Sequence, residues 1–128
     1  GPFGRNLEPV SKIRNHINLE GYHTPCIVAG GIHTFQQAES ILQSDQADII
    51  GFARQALADP DWFEKVRAGF GSSVNLCRYS NYCEGLDQKH KQVTCELWDR
   101  EKMDEPNIKK SKDGKRRLIA PAWAATDR

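Results

Sequence analysis

The chain has 128 residues, of which 38% are hydrophobic and 27% are charged. This length suits one domain or a part of a larger one, and the composition is too hydrophobic for a disordered chain. The net charge of +1 gives no electrostatic reason to expect a nucleic acid or an anionic membrane as a partner. The longest apolar run, near residues 26–32, is far shorter than the ~20 residues of a membrane-spanning helix. No secretory signal is visible, so we expect a cytoplasmic protein.

The N-terminal part of the sequence alternates between helical and extended patterns. Apolar residues spaced by three and four predict a helix over residues 7–17, and residues 25–29 and 47–53 are typical of short buried strands. A second helix is expected after the cap residue Thr34, and a third is expected to begin at Asp59-Pro60, with Asp59 as its cap. The order helix, strand, helix, strand, helix indicates βα units with a parallel sheet.

Two strands are too few for a parallel sheet that is covered on both faces. We therefore predict that residues 1–76 belong to a larger α/β fold, whose other strands come from the same parent protein, another chain or further copies of this one. The cysteine-containing residues 77–99 form a second predicted segment. Residues 100–128 are predicted to be a polar, basic tail.

Within the tail, the sequence indicates one turn and one anchor. Asp113-Gly114 is typical of a hairpin turn, and Trp123 is expected to tether the chain end. The basic residues between Lys109 and Arg117 are expected to form a solvated arm.

The ends of the two predicted strands carry residues that suit an anion. Gly30 and Gly31 follow the first strand and let backbone N–H groups approach a ligand closely. Ala53 and Arg54 end the second, and a guanidinium forms charge-assisted bonds to phosphate. Either feature alone is more often a simple turn or a surface ion pair. Together, one βα unit apart, they predict a single phosphate site at the carboxyl edge of the sheet.

The full strings around these residues resemble a known family. Val28-Ala29-Gly30-Gly31-Ile32 and, above all, Ala58-Asp59-Pro60-Asp61-Trp62 following Arg54 resemble the Old Yellow Enzyme-like NADH:flavin oxidoreductases, which include the 2,4-dienoyl-CoA reductase type. The similarity is high over residues 25–67 and fair over residues 1–24. It implies that the chain holds the C-terminal βα units, about strands 7 and 8, of a (β/α)8 TIM barrel. The barrel is incomplete in this chain and is followed by an irregular C-terminal extension.

The resemblance also implies a cofactor and a reaction. Gly30, Gly31, Ala53 and Arg54 would contact the phosphate of FMN, NAD(P)H would reduce the flavin, and an unsaturated small molecule would accept the hydride. Ala53 departs from the family pattern, which usually has glycine before the arginine. Catalytic residues are expected outside this chain, so the chain alone is expected to be inactive. It would act as a portion of a larger oxidoreductase or as one subunit of a split enzyme.

The cysteine segment resembles the dienoyl-CoA reductase branch only in part. That branch has four cysteines after its barrel that ligate a [4Fe–4S] cluster, the last two separated by eleven residues. Cys83 and Cys95 have this separation. The two earlier ligands would fall near Leu76 and Tyr79, which cannot ligate, and Cys77 lies one residue from the first. Cys77, Cys83 and Cys95 are therefore candidate metal ligands of a degraded motif, which argues against an intact cluster.

Alternatives to a flavin enzyme with an iron–sulfur cluster remain open from the sequence. Cys77, Cys83, His90 and Cys95 have the right chemistry for zinc, although their spacing matches no compact zinc motif. The interpretation that the sequence favours is three reduced thiols in a relic segment. The alternative function is then a non-catalytic interaction or zinc-binding module derived from a barrel fragment. A different phosphate ligand, such as a sugar phosphate, would suit the same strand ends.

Overall fold

The computed structural model describes residues 3–124, which fold as two compact units that divide between Ala53 and Arg54. The first unit contains helix α1 (Leu7–Leu19), strand β1 (Ile27–Ala29), helix α2 (Phe35–Gln43) and strand β2 (Ile49–Gly51). The second contains helix α3 (Arg54–Ala58), helix α4 (Trp62–Arg67), a 3-10 turn (Gly71–Ser73) and helix α5 (Tyr82–Gln88). The predicted order of helices and strands is confirmed. The domain boundaries predicted at residues 76 and 99 stay predictions. No helix within residues 3–124 is long and apolar enough to cross a bilayer.

The two strands of the first unit pair in parallel, as predicted, with Ile27 opposite Ile49 and Val28 opposite Ile50. Val28 is fully buried at the centre of the core of this unit. The other buried core residues are Ile32, Ala38, Ile41 and Ala47, with Leu7, Val10, Ile50 and Phe52 packed against them. One face of the sheet is therefore covered by the helices of the same unit.

The other face of the sheet is not covered within this unit. Side chains alternate between the two faces of a strand, and Ile27 and Ile49, which are neighbours in the register, are 61% and 47% exposed. Two β-branched apolar side chains side by side on a sheet are typical of a surface that is buried in a complete fold. This arrangement agrees with a fragment of a larger sheet.

A partly exposed ion pair joins helix α1 to the residue before β2. Arg14 donates from Nε and Nη2 to the two carboxylate oxygens of Asp48, each at 3.0 Å, and from Nη1 to the carbonyl of Asp45. The backbone N–H of Cys26 donates to the same carboxylate at 2.8 Å. The Arg14 bond, followed by the Cys26 bond, lowers the pKa of Asp48 below its ordinary value. The pair fixes the helix against both strands.

The two predicted helix starts have different outcomes. Thr34 caps α2 as predicted, because its side chain accepts from the N–H of Gln37 while the Gln37 side chain accepts from the N–H of Thr34. The prediction that Asp59 caps the next helix is wrong, since α4 has Asp61 at its N-cap position. The buried carboxylate of Asp59 instead binds Lys65 Nζ at 2.6 Å and the N–H of Asn75 at 2.8 Å.

The C-terminal segment is more ordered and more buried than a basic tail. Lys110 and Arg117 form an antiparallel bridge, and Gly114 turns the chain with a φ of +73°, so the predicted hairpin turn is confirmed. The Trp123 ring packs edge-on against Phe70 with centroids 5.7 Å apart, which confirms the tether. The expectation of a solvated arm is wrong for Arg116 and Arg117, which are 6% and 3% exposed. Their guanidinium groups donate hydrogen bonds to backbone carbonyls and to the Thr94 hydroxyl. These bonds replace the hydrogen bonds to water that are lost on burial.

The two faces of β1 predict losses of stability of different size when their side chains are truncated. Val28→Ala should destabilise the first unit by about 2 kcal/mol because it leaves a cavity in the core. Ile27→Ala should cost well under about 1 kcal/mol, because the Ile27 side chain is already largely in water. Amide hydrogen exchange, followed by mass spectrometry on peptides from residues 27–51, measures both. Equal losses of protection in the two variants would contradict the assignment of the faces.

The Asp59–Lys65 pair predicts a large effect in the second unit. Asp59→Asn leaves the Lys65 ammonium buried without its counter-charge and should lower the free energy of unfolding by about 3–5 kcal/mol. The matched control is Glu64→Gln, which removes the exposed pair with Arg67 and should cost less than about 1 kcal/mol. Urea unfolding followed by tryptophan fluorescence reports this unit, because all three tryptophans lie after residue 54.

Candidate functional site

The chain turns sharply after β1 through two glycines. Gly30 and Gly31 have φ of +112° and +70°, a region that other residues rarely adopt. A Cβ on Gly30 would lie 2.7 Å from Asn6 Nδ2 and 3.1 Å from Arg5 Nε. Asn6 Nδ2 donates to the carbonyl of Ala29 at 2.7 Å, so the loop before α1 closes over the end of the strand. Glycine is required here by the backbone and by its neighbours together.

The same geometry places the Arg5 guanidinium beside the glycine turn. The sequence analysis did not predict this cation. The Arg5 guanidinium approaches Gly30 closely enough to contact any side chain placed there. Arg5 lies 25 positions earlier in the chain, in a loop without periodicity. Only the packing of that loop on the strand end brings Arg5 and Gly30 together.

Arg54, the predicted phosphate ligand, is the first residue of α3 in the second unit, while Ala53 is an exposed residue that ends the first. Arg54 Nη1 donates to Asn81 Oδ1 at 2.8 Å, and its guanidinium carbon lies 5.4 Å from the centre of the Tyr79 ring. The hydrogen bond uses one of the five N–H groups of a guanidinium. Within its unit, Arg54 is therefore held by the segment that carries the cysteines.

The three candidate metal ligands, Cys77, Cys83 and Cys95, line one cleft of the second unit together with Ser80. We call this the thiol cleft; Arg54 and Arg78 also line it. Burial raises the pKa of the Cys95 thiol above its ordinary value, and the proximity of the other two sulfurs acts in the same direction. Leu76 and Tyr79, where the resemblance placed two ligands, are not among the residues that line the cleft.

Gln55 on α3 holds the chain at Cys77. Its buried side chain donates from Nε2 to the carbonyl of Asn75 at 2.8 Å and accepts from the N–H of Cys77 at 3.0 Å. The Gln55 amide thereby forms the hydrogen bonds with these backbone groups that a neighbouring strand would form in a sheet. The position of Cys77 is set by a side chain 22 residues earlier in the sequence.

Asp99, which is 1% exposed, joins the regions around the other two cysteines. Its Oδ2 accepts from the Tyr82 hydroxyl at 2.6 Å and from Thr94 Oγ1 at 2.8 Å, and its backbone N–H donates to the carbonyl of Cys95. Arg116 Nη1 in turn donates to Thr94 Oγ1 at 2.6 Å. Tyr82 and Thr94 immediately precede Cys83 and Cys95, so this network sets where the two thiols lie.

The geometry gives no support to a zinc site. Among residues 3–124, no three His, Cys, Asp or Glu side chains are grouped closely enough to hold one metal ion. His90, the fourth ligand of that alternative, lines a different cavity with Lys91 and Lys112.

A family model gives the chain its identity. Residues 5–72 match the model of the NADH:flavin oxidoreductase / NADH oxidase family. The chain belongs to this family. The resemblance found in the sequence is thus confirmed.

Two relatives of this flavin oxidoreductase chain have names that specify a reaction. Over 79 residues, 61% of the chain, it is 34% identical to a bilirubin reductase from Mediterraneibacter gnavus. Over 53 residues, 41% of the chain, it is 40% identical to a metal reductase from Desulforamulus reducens. The alignments cover 12% and 8% of these proteins, so the chain spans about a tenth of the relatives that it matches.

The Asp99 network predicts how accessible the thiols of this chain are. Tyr82→Phe removes one hydrogen bond to a buried carboxylate, which is worth about 0.5–1.5 kcal/mol or somewhat more. Local opening at the start of α5 should become easier, and alkylation of Cys83 should become about two- to tenfold faster. Mass spectrometry of iodoacetamide-labelled peptides measures the rate at each cysteine. Cys26, in the first unit, is the internal control, and an equal acceleration at Cys26 would indicate global unfolding and contradict the local role.

Proposed function

We propose that this chain supplies the FMN phosphate site of an NAD(P)H-dependent flavin oxidoreductase, as the C-terminal βα units, about strands 7 and 8, of its TIM barrel. The observation that carries the proposal is the turn at Gly30 and Gly31, which directly follows a parallel strand and has an arginine side chain beside it. Ligands of α/β folds bind at this end of the strands. Membership of the flavin oxidoreductase family supports FMN as the ligand.

The residues of the chain would hold the phosphate by complementary means. The backbone N–H groups at Gly30 and Gly31 offer donors with no Cβ in the way. Arg54 would supply charge and planar donors to the phosphate oxygens, and Arg5 would add a second positive charge at the glycine turn. Ala53 would contribute its backbone, with its methyl group limiting how closely the phosphate approaches. Bound FMN supplies the chemistry of accepting a hydride from NAD(P)H and passing it to the substrate.

The rest of the enzyme would come from outside these residues. The exposed face formed by Ile27 and Ile49 would pack against further barrel strands, contributed by the parent protein or another chain. A complete barrel takes ~250 residues, about twice this length. We therefore expect the catalytic residues to lie on the missing strands and this chain alone to be inactive.

The substrate class would be an electron-poor unsaturated molecule, as in ene-reductase and dienoyl-CoA reductase chemistry. One relative is named for reducing bilirubin and the other for reducing metal. Because relatives with different named substrates each align with part of this chain, the chain would serve the flavin, and the substrate would be chosen elsewhere.

The proposal predicts a phosphate-dependent affinity for FMN. The chain should bind FMN more tightly than riboflavin, which has the same ring and no phosphate. Arg54→Gln should weaken FMN binding about tenfold or more, because a charged hydrogen bond is worth roughly 1.5–3 kcal/mol. Riboflavin binding should be unchanged. Quenching of flavin fluorescence measures both dissociation constants.

Arg67→Gln is the matched control, since it removes an exposed arginine that is paired with Glu64 on α4. It should leave FMN binding within about twofold of the original. Equal affinities for FMN and riboflavin, no binding of FMN, or an Arg54→Gln variant that binds FMN normally would each contradict the phosphate site.

A further inference from the structure

The second unit contains a cavity of about 580 Å³ that is lined by residues 90–92, residues 111–113 and Arg116. We call it the basic cavity, because Lys91, Lys112 and Arg116 line it against a single carboxylate, Asp113. The net charge of the whole chain is only +1, so positive charge is concentrated here. A concave surface of one charge attracts ligands of the other, and cavities of this volume hold whole organic molecules.

Arg116 is the buried cation of the basic cavity, with 6% of its surface exposed. Its Nη1 donates to the carbonyl of Gln92 at 2.9 Å and to Thr94 Oγ1 at 2.6 Å. Within residues 3–124, the Nε and Nη2 donors of this guanidinium have no acceptor. Every inaccessible side-chain nitrogen or oxygen of the described residues has a hydrogen-bond partner, so these donors must be accessible. The cavity that Arg116 lines is the space that they face.

The charge of Arg116 is not matched by a carboxylate. No ion pair of Arg116 is formed within the described part of the chain, whereas the neighbouring Arg117 pairs with Glu105 at 3.6 Å. A buried charge without a counter-charge is costly, which favours an anion in the cavity. The edge of a guanidinium formed by Nε and Nη2 presents two parallel N–H groups, the arrangement that binds two oxygens of one phosphate.

Asp113 faces the same cavity but is occupied on one side only. Its Oδ1 accepts from the Ser111 hydroxyl at 2.7 Å and from the N–H of Lys115 at 3.0 Å. These bonds, the Ser111 bond first, lower the pKa of Asp113 and keep it ionised. Its Oδ2 has no hydrogen bond within residues 3–124. A carboxylate oxygen repels further phosphate and accepts from hydroxyl groups, so it suits a ligand that also has a sugar-like part.

The walls of the basic cavity are fixed by backbone hydrogen bonds. The N–H of Ser111 donates to the carbonyl of Arg116 at 2.8 Å, and the N–H of Gly114 closes the turn onto the carbonyl of Ser111 at 2.8 Å. On the other wall, the N–H of Lys91 donates to the carbonyl of Leu86 at the end of α5, at 2.9 Å. A preformed site loses little conformational entropy when a ligand binds.

We propose that the basic cavity binds an organic diphosphate of the nucleoside diphosphate class. The free edge of Arg116 holds one phosphate, and Lys91 and Lys112, on the two walls, neutralise the other. The Asp113 carboxylate accepts from hydroxyl groups of the sugar. The site lies wholly within residues 90–116, beyond the residues that match the family model, so it does not rest on the FMN site.

The experiment titrates the 128-residue chain with ADP, adenosine and orthophosphate by isothermal calorimetry at low ionic strength. ADP should bind about tenfold or more tightly than orthophosphate, because it engages all three cations, and adenosine should give no measurable binding. Nitrogen–proton correlation spectra should show ADP-dependent shifts at residues 90–92 and 111–116, including the Nε–H of Arg116.

A pair of double variants tests the location of the site. Lys91→Gln with Lys112→Gln should weaken ADP binding about tenfold, because it removes two of the three cations and leaves the structural bonds of Arg116 intact. The matched control is Lys89→Gln with Lys115→Gln, which removes two exposed lysines that do not line the cavity. The control has the same net charge and should bind ADP within about twofold of the unaltered chain.

Arg54→Gln separates this site from the flavin site, because it should leave ADP binding within about twofold of the original. A larger loss would assign ADP to the proposed FMN phosphate site and overturn the present proposal. ADP that binds no more tightly than orthophosphate would reveal an adventitious anion site only. Equal weakening by the two double variants would reveal a response to net charge alone. Either result overturns the proposal and leaves the FMN site untouched.

Discussion

A parallel sheet of two strands can bury only one of its faces with the helices that this chain provides. In the first unit the covered face is built around Val28, while Ile27 and Ile49 remain in contact with solvent. The free energy of folding available to this unit is correspondingly limited, because apolar burial is its main source. The bidentate Arg14–Asp48 pair and the capped start of α2 supply part of what a second buried face would add. An incomplete sheet would also leave the flavin site that we propose at its edge incomplete.

The second unit depends on buried polar groups as much as on apolar packing. Asp59, Asp99, Arg116 and Arg117 are all nearly inaccessible to solvent, and each has hydrogen-bond partners. Such a network stabilises only when its members are satisfied, and it then specifies one arrangement of the chain. Here that arrangement joins segments with little regular structure and brings three cysteines from a span of nineteen residues into one cleft. The network therefore determines where these residues lie more than it stabilises the unit.

The family alignment and the cysteine geometry bear on different parts of the chain. The matched residues, 5–72, include the glycine turn and Arg54 and end before Cys77. Arg54 connects the two regions, because it lies in the matched segment and donates to Asn81 in the cysteine loop. A residue proposed to bind the flavin phosphate therefore also contacts the segment that carries the cysteines.

The sequence by itself determined the first unit well. Periodic apolar residues, the Thr34 cap and the glycine pair are local signals, and local signals set the helices, the strands and their order. The family resemblance rested on short runs of consecutive residues, so it could also be recognised from the sequence alone. Reasoning from local signals failed where a side chain had a distant partner. Asp59 looked like a cap and proved to be the counter-charge of Lys65, and Arg116 and Arg117 looked solvated and proved to be buried.

Only the tertiary structure decided how the cysteine segment is arranged. Counting along the sequence placed the missing ligands at Leu76 and Tyr79, because spacing alone cannot show which way a residue points. The Gln55 amide and the Asp99 carboxylate hold the chain beside these cysteines, and Cys77, Cys83 and Cys95 line one cleft. These contacts join residues that are up to 22 positions apart. No local pattern encodes them, since hydrogen-bond partners of this kind are selected by the packing of the whole unit.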